Sequence, residues 1–135
     1  MVMIHATYDG GLRCTATHTP SAATLLTDAP TDNHGRGEAF SPTDLVATAL
    51  GTCIPTTMGI VANRLGVNID GASVSVEKVM AAAPTRRIGE LRVALTMPAG
   101  IDPVHRDALT RAAERCPVTQ SLHPETVVNV AINWK

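Results

Sequence analysis

The sequence predicts an α+β fold: antiparallel β-sheets, a long buried central helix and a second helix. Three observations predict it. Stretches of alternating apolar and polar residues stand near both ends and in the middle of the chain. A run with no charge between Asp44 and Arg64 is long enough for one extended helix. A shorter amphipathic segment follows at "DPVHRDALTRAAERC". Strands, long helix, two strands, helix and strand, in that order, place helices against one side of an antiparallel sheet.

The elements follow in order. "MIHATYD", Gly10-Gly11 and "LRCTATH" read as a β-hairpin around a glycine turn. Leu12, Cys14, Ala16 and His18 share one face of its second strand, and Cys14 reads as a small core residue. "AATLLTD" adds a third strand. "DAPTDNHGRGEAF" is a loop by composition, the longest irregular segment, and long loops in small domains often carry function. Ser41 is the expected N-cap of the long helix, Pro42 fits its first turn, Asp44 complements its dipole, and Gly66 stops it. "ASVSVEKVM" and "IGELRVALTM" read as two antiparallel strands joined by the turn "AAAPTRR". In the amphipathic helix Asp102 caps, Pro103 begins, and Val104, Ala108, Leu109 and Ala112 line one side. "TVVNVAINWK" is an alternating closing strand.

The 135 residues suit a single domain spanning 1–135. A net charge of −1 and scattered basic residues leave no footprint for nucleic acid. Phe40, Tyr8 and Trp134 are the only aromatics, too few for a base-stacking platform. "MVMIHATYDGG" lacks the basic and apolar regions of a signal peptide. The apolar run contains Thr48, Gly51, Thr52, Pro55, Thr56, Thr57, Gly59 and Asn63, which argues against a membrane span. Three cysteines, Cys14, Cys53 and Cys116, without zinc spacing, point to a reducing, cytoplasmic setting and no metal. The central helix has hardly any polar face, and a helix apolar all round must be covered on all sides. One small sheet covers one side, so a homodimer with this helix near the interface is expected.

Cys53 lies two residues before Pro55, which cannot donate to the Gly51 carbonyl and disfavours helical geometry at Ile54. The helix is expected to kink or restart there; a restart would surround Cys53 with free N–H groups that favour a thiolate. Cys116 likewise ends a helix and precedes Pro117. The bland alternative is two buried thiols in an apolar core. Elsewhere Met58 reads as core, Arg64 as a helix C-terminal cap, and His34 and His123 as surface residues.

"FSPTDLVATALGTC" together with the later "ERCPVTQSL" resembles the OsmC/Ohr family of thiol peroxidases, and the likeness extends over most of the chain. The resemblance implies an OsmC-like fold built as an intertwined homodimer and the reduction of organic hydroperoxides. It implies that Cys53 attacks the peroxide as thiolate and becomes a sulfenic acid, that Cys116 condenses with it to a disulfide, and that a dithiol reductant, lipoyl-type or similar, restores both. No cofactor, metal, flavin or haem is implied. Burial would raise the Cys53 pKa, so a cation must oppose it. The family draws an arginine from the loop before the long helix, held by a glutamate at the helix start. Arg36 is the loop arginine here and Arg13 the runner-up. The glutamate position is occupied by Thr43, with Asp44 and Glu38 the carboxylates nearby. This departure keeps a second function open: a redox-sensing or small-ligand-binding protein without efficient turnover. A purely structural dimer with core cysteines is the third.

Overall fold

A computed structural model describes all 135 residues. The chain forms two compact units, Met1–Val46 and Ala47–Lys135, and the boundary falls inside the long helix rather than in a linker.

The first unit holds β1 (Ile4–Gly10), β2 (Arg13–His18) and β3 (Ala23–Asp28), an antiparallel sheet in that order. The hairpin and the third strand are as expected. Cys14 is the exception: it pairs with Tyr8 and Thr27 and is half-buried, not core. Leu12, placed on the same strand face by alternation, instead sits in the turn with φ +63°. The loop after β3 contains one 3₁₀ turn, Thr31–Asn33. Its close is tight. A β-carbon on Gly35 would sit 1.7 Å from the Ala29 carbonyl oxygen, so only glycine fits there.

α1 runs Pro42–Leu65. Ser41 Oγ accepts the Asp44 N–H at 3.1 Å and the Asp44 carboxylate accepts the Ser41 N–H at 2.9 Å, a reciprocal capping box. Gly66, at φ +70°, ends the helix as expected. The expected restart at Pro55 does not occur, and the helix is continuous through it. Leu50, Ile54 and Met58 are fully buried on either side of the proline, and this packing outweighs one lost backbone hydrogen bond.

In the second unit β4 (Ser73–Ala81) pairs antiparallel with β5 (Arg87–Thr96), but β6 (Val127–Asn133) lies parallel to β5. This sheet is therefore mixed rather than antiparallel. The connection from β5 to β6 passes through α2 (Arg106–Glu114) and α3 (Pro117–Gln120), long enough for a parallel crossover. Asp102 caps a 3₁₀ turn, Pro103–His105, by accepting the Val104 N–H at 3.0 Å. That turn faces Val104 outward, so the buried side of α2 is Leu109, Ala112 and Ala113.

The core of this unit joins Ala47, Leu50, Ile54, Met58 and Ala62 of α1 to Leu91, Val93, Leu95 and Met97 of the sheet and to α2. α1 is long and apolar enough to cross a membrane, yet this stripe is the core stripe of a folded domain.

Candidate functional site

Two cysteines meet on the edge of that core. Cys53 stands midway along α1, partly buried, and packs against the cluster. Cys116 is completely buried and lies at the N-cap position of α3, just after α2. Pro117 follows at the first position of α3, where a missing N–H costs nothing. The α2–α3 corner thus carries Cys116 and the Val118 N–H to the same side of α1, and both act on Cys53. All three cysteines are free thiols.

Burial pushes the Cys53 thiol up. Hydrogen bonds from the Cys116 thiol, the Val118 N–H and the Thr57 hydroxyl outweigh it, and Cys53 ends below the ordinary thiol value. Thr57 Oγ1 lies 3.8 Å from the sulfur. For Cys116 the balance is reversed: burial raises it, its hydrogen bond to Cys53 raises it further, and Thr119 and Val118 offset this only in part. Of two thiols in contact, one is disposed to ionise and the other to keep its proton. Such a pair can present a nucleophilic sulfur and a resolving one.

The arginines belong to the other unit. Arg13 bonds the carboxylates of Asp28, at 3.3 Å, and Glu38. Asp28 is buried and also accepts the Glu38 N–H at 2.9 Å, which ties the loop to the end of β3. Arg36 is exposed on the same loop, and its backbone N–H also acts on Asp28. Asp44 is engaged by the helix cap and Glu38 by Arg13, so the carboxylates near Thr43 serve other partners.

The flanking prolines drew notice to Cys53 and Cys116, and the resemblance of "FSPTDLVATALGTC" and "ERCPVTQSL" to the family pattern singled them out. Neither marked Thr57 or the Val118 N–H. A threonine one turn after Cys53 was the available signal, hidden among four threonines in ten residues of one helix. No three His, Cys, Asp or Glu side chains converge as metal ligands.

The OsmC-like protein family matches residues 35–131. The chain belongs to this family. The matched span includes both cysteines, Arg36 and all of α1, and leaves Arg13 outside. A protein from Psychrobacter arcticus 273-4, named for osmotic stress induction and a detoxification response, has a crystal structure with 43% identity, covering 98% of this chain and 96% of that one, at a TM-score of 0.92. The Legionella pneumophila organic hydroperoxide resistance protein OsmC is 24% identical over 98% of this chain and 96% of its own, with a TM-score of 0.75. A Vibrio cholerae protein named for organic hydroperoxide resistance, with captopril in one of its active sites, is 21% identical over 97% and 91%, with a TM-score of 0.76. At these last two identities the likeness speaks for the OsmC-like fold alone. No curated protein matches the chain.

Proposed function

We propose that this OsmC-like protein is a thiol-dependent peroxidase that reduces organic hydroperoxides, acting in stress defence as an intertwined homodimer in the cytoplasm. The observation that carries this is the contact of two free thiols from distant parts of the chain, Cys53 midway along α1 and Cys116 at the start of α3, joined by a hydrogen bond at the edge of the core. The stress-related and hydroperoxide-related names of the relatives support the same reading.

The chemistry runs in three steps. The Cys53 thiolate attacks a peroxide oxygen; the S–O bond forms as the O–O bond breaks, and the alkoxide takes a proton and leaves as an alcohol. Cys116 keeps its proton and does not compete for peroxide. Its sulfur then attacks the Cys53 sulfenic acid, water leaves, and a Cys53–Cys116 disulfide results. A dithiol, lipoyl-type or similar, supplies two electrons by exchange and closes to its own disulfide. The assisting cation is assigned from the sequence pattern to Arg36, with Arg13 second.

The test is consumption of cumene hydroperoxide with a dithiol. Cys53→Ser abolishes it, and Cys116→Ser leaves a sulfenate that a dimedone probe traps. Arg36→Ala and Arg13→Ala, compared by the pH dependence of Cys53 alkylation, decide between the two arginines. Turnover that survives Cys53→Ser would overturn the reading.

A second reading, redox sensing or small-ligand binding without efficient turnover, is favoured by one observation. Position 43 holds threonine, and the donors acting on Cys53, Val118 and Thr57 among them, carry no charge. It predicts one disulfide formed per peroxide and no sustained turnover.

A further inference from the structure

Thr52, Thr56 and Thr57 share the middle of α1 and use their hydroxyls differently. Thr52 donates to the carbonyls of Thr48, at 2.8 Å, and Ala49, at 3.2 Å. Thr56 donates to the Thr52 carbonyl at 2.8 Å. Bonding back to the preceding turn is ordinary behaviour for a helical threonine. The Thr57 hydroxyl instead lies 3.8 Å from the Cys53 sulfur. Residues four apart stand on one helix face, so the contact is built into α1 and needs no other element to hold it. Both side chains are partly buried, which limits replacement of the hydroxyl by water.

A hydroxyl so placed does not treat the two forms of the sulfur alike. A neutral thiol is a weak acceptor, whereas a thiolate only accepts and takes a charge-assisted hydrogen bond about twice as strong. The bond strengthens when the proton leaves, and only such a difference favours ionisation.

We propose that Thr57 is a catalytic residue whose hydroxyl donates to the Cys53 sulfur and holds it as the attacking thiolate, in a chain that has Thr43 where the family pattern carries glutamate. The step it serves rests on the peroxidase reading above. In that step the thiolate forms an S–O bond with the hydroperoxide, the O–O bond breaks, and the alkoxide is protonated from water. Cys116 is the titratable group that faces Cys53; Thr57 and the Val118 N–H complete the donors and are uncharged.

The experiment measures iodoacetamide alkylation of Cys53 against pH in the full-length chain, with the adduct assigned by peptide mass spectrometry. Thr57→Val keeps the branched shape and removes the donor. The rate at pH 7 is expected to fall roughly tenfold, with the curve moved to higher pH and its plateau retained. Thr57→Ser restores the wild-type curve. Thr56→Val, which removes a hydroxyl bound to backbone, leaves the curve in place. An unmoved curve for Thr57→Val, or failure of Thr57→Ser to restore it, overturns the assignment. A moved curve in a protein that turns over no hydroperoxide would instead sink the peroxidase reading and leave the thiolate-holding role standing.

Discussion

Asp28 carries more of the first unit than its place at a loop edge suggests. Its buried carboxylate accepts the Glu38 N–H and an Arg13 N–H through one oxygen, while Oδ1 has no regular partner. A buried charge is tolerable only when paired, and the pairing fixes the acidity. The Glu38 N–H pulls the Asp28 carboxyl below the ordinary carboxylate range, burial opposes it, and Arg13 pulls in the same direction as the N–H. The folded-state value lies below the unfolded one, so the contribution is present above the unfolded value of about 3.9 and is lost as pH falls through the lower folded value. Asp28→Asn should therefore lower Tm at pH 7 by roughly 5 °C, with the gap to wild type closing below about pH 4. Calorimetry over that range checks it; a gap that persists at the acid end would refute it. Residues of this kind were poorly legible in the sequence. Cys53 and Cys116 stood out because the two segments that hold them together resemble a family pattern, but Asp28 resembled any loop aspartate and Thr57 any helix threonine. Their roles depend on which groups folding brings beside them.

At the scale of elements, what was legible was what is encoded locally. The Ser41 N-cap and the Gly66 stop involve neighbours within a few residues and formed as expected, and the glycine turn formed one residue later than expected, taking Leu12 out of the strand. Two features are set by distant contacts and were misread. The Pro55 signal is local, but the burial of Leu50, Ile54 and Met58 that keeps α1 continuous is not. Alternation marked β6 as a strand but carries no information about direction, so its parallel pairing with β5 was not visible. Both points give tests by chemical denaturation. Ser41→Ala removes the accepting half of the cap and should cost about 1 kcal/mol. Met58→Ala leaves a void beside Ile54 in a fully packed stripe and should cost about 2–5 kcal/mol, whereas Met58→Leu keeps the volume and should cost less than about 1.5 kcal/mol. Equal costs for the two Met58 variants would mean that the stripe is less tightly packed than its burial indicates.

At the scale of the whole molecule, one chain leaves too much apolar surface in water. Leu25 and Leu26 are consecutive on β3, so they point to opposite faces of the first sheet, and they remain 43% and 58% exposed. Val2 and Ile4 are exposed on the same unit, and Ile60 of α1 is 51% exposed on the other. Only 28% of the most apolar window of α1 is buried, although a helix apolar all round needs cover on all sides. A three-stranded sheet needs one apolar face packed to be stable, and here residues on both faces meet solvent. A net charge of −1 gives little repulsion between copies. The proposed homodimer answers all of these at once, because a second copy presents the same unsatisfied faces. If folding and association are coupled, stability depends on protein concentration. Tm should rise with concentration across the micromolar range, and sedimentation should give the mass of two chains. Ile60→Glu, which places a charge on the open side of α1, should shift the mass toward one chain and lower Tm. A single chain of unchanged Tm at all concentrations would mean that the exposed leucines of β3 are stable in water without a partner, against what their burial would release at about 25 cal/mol per Å².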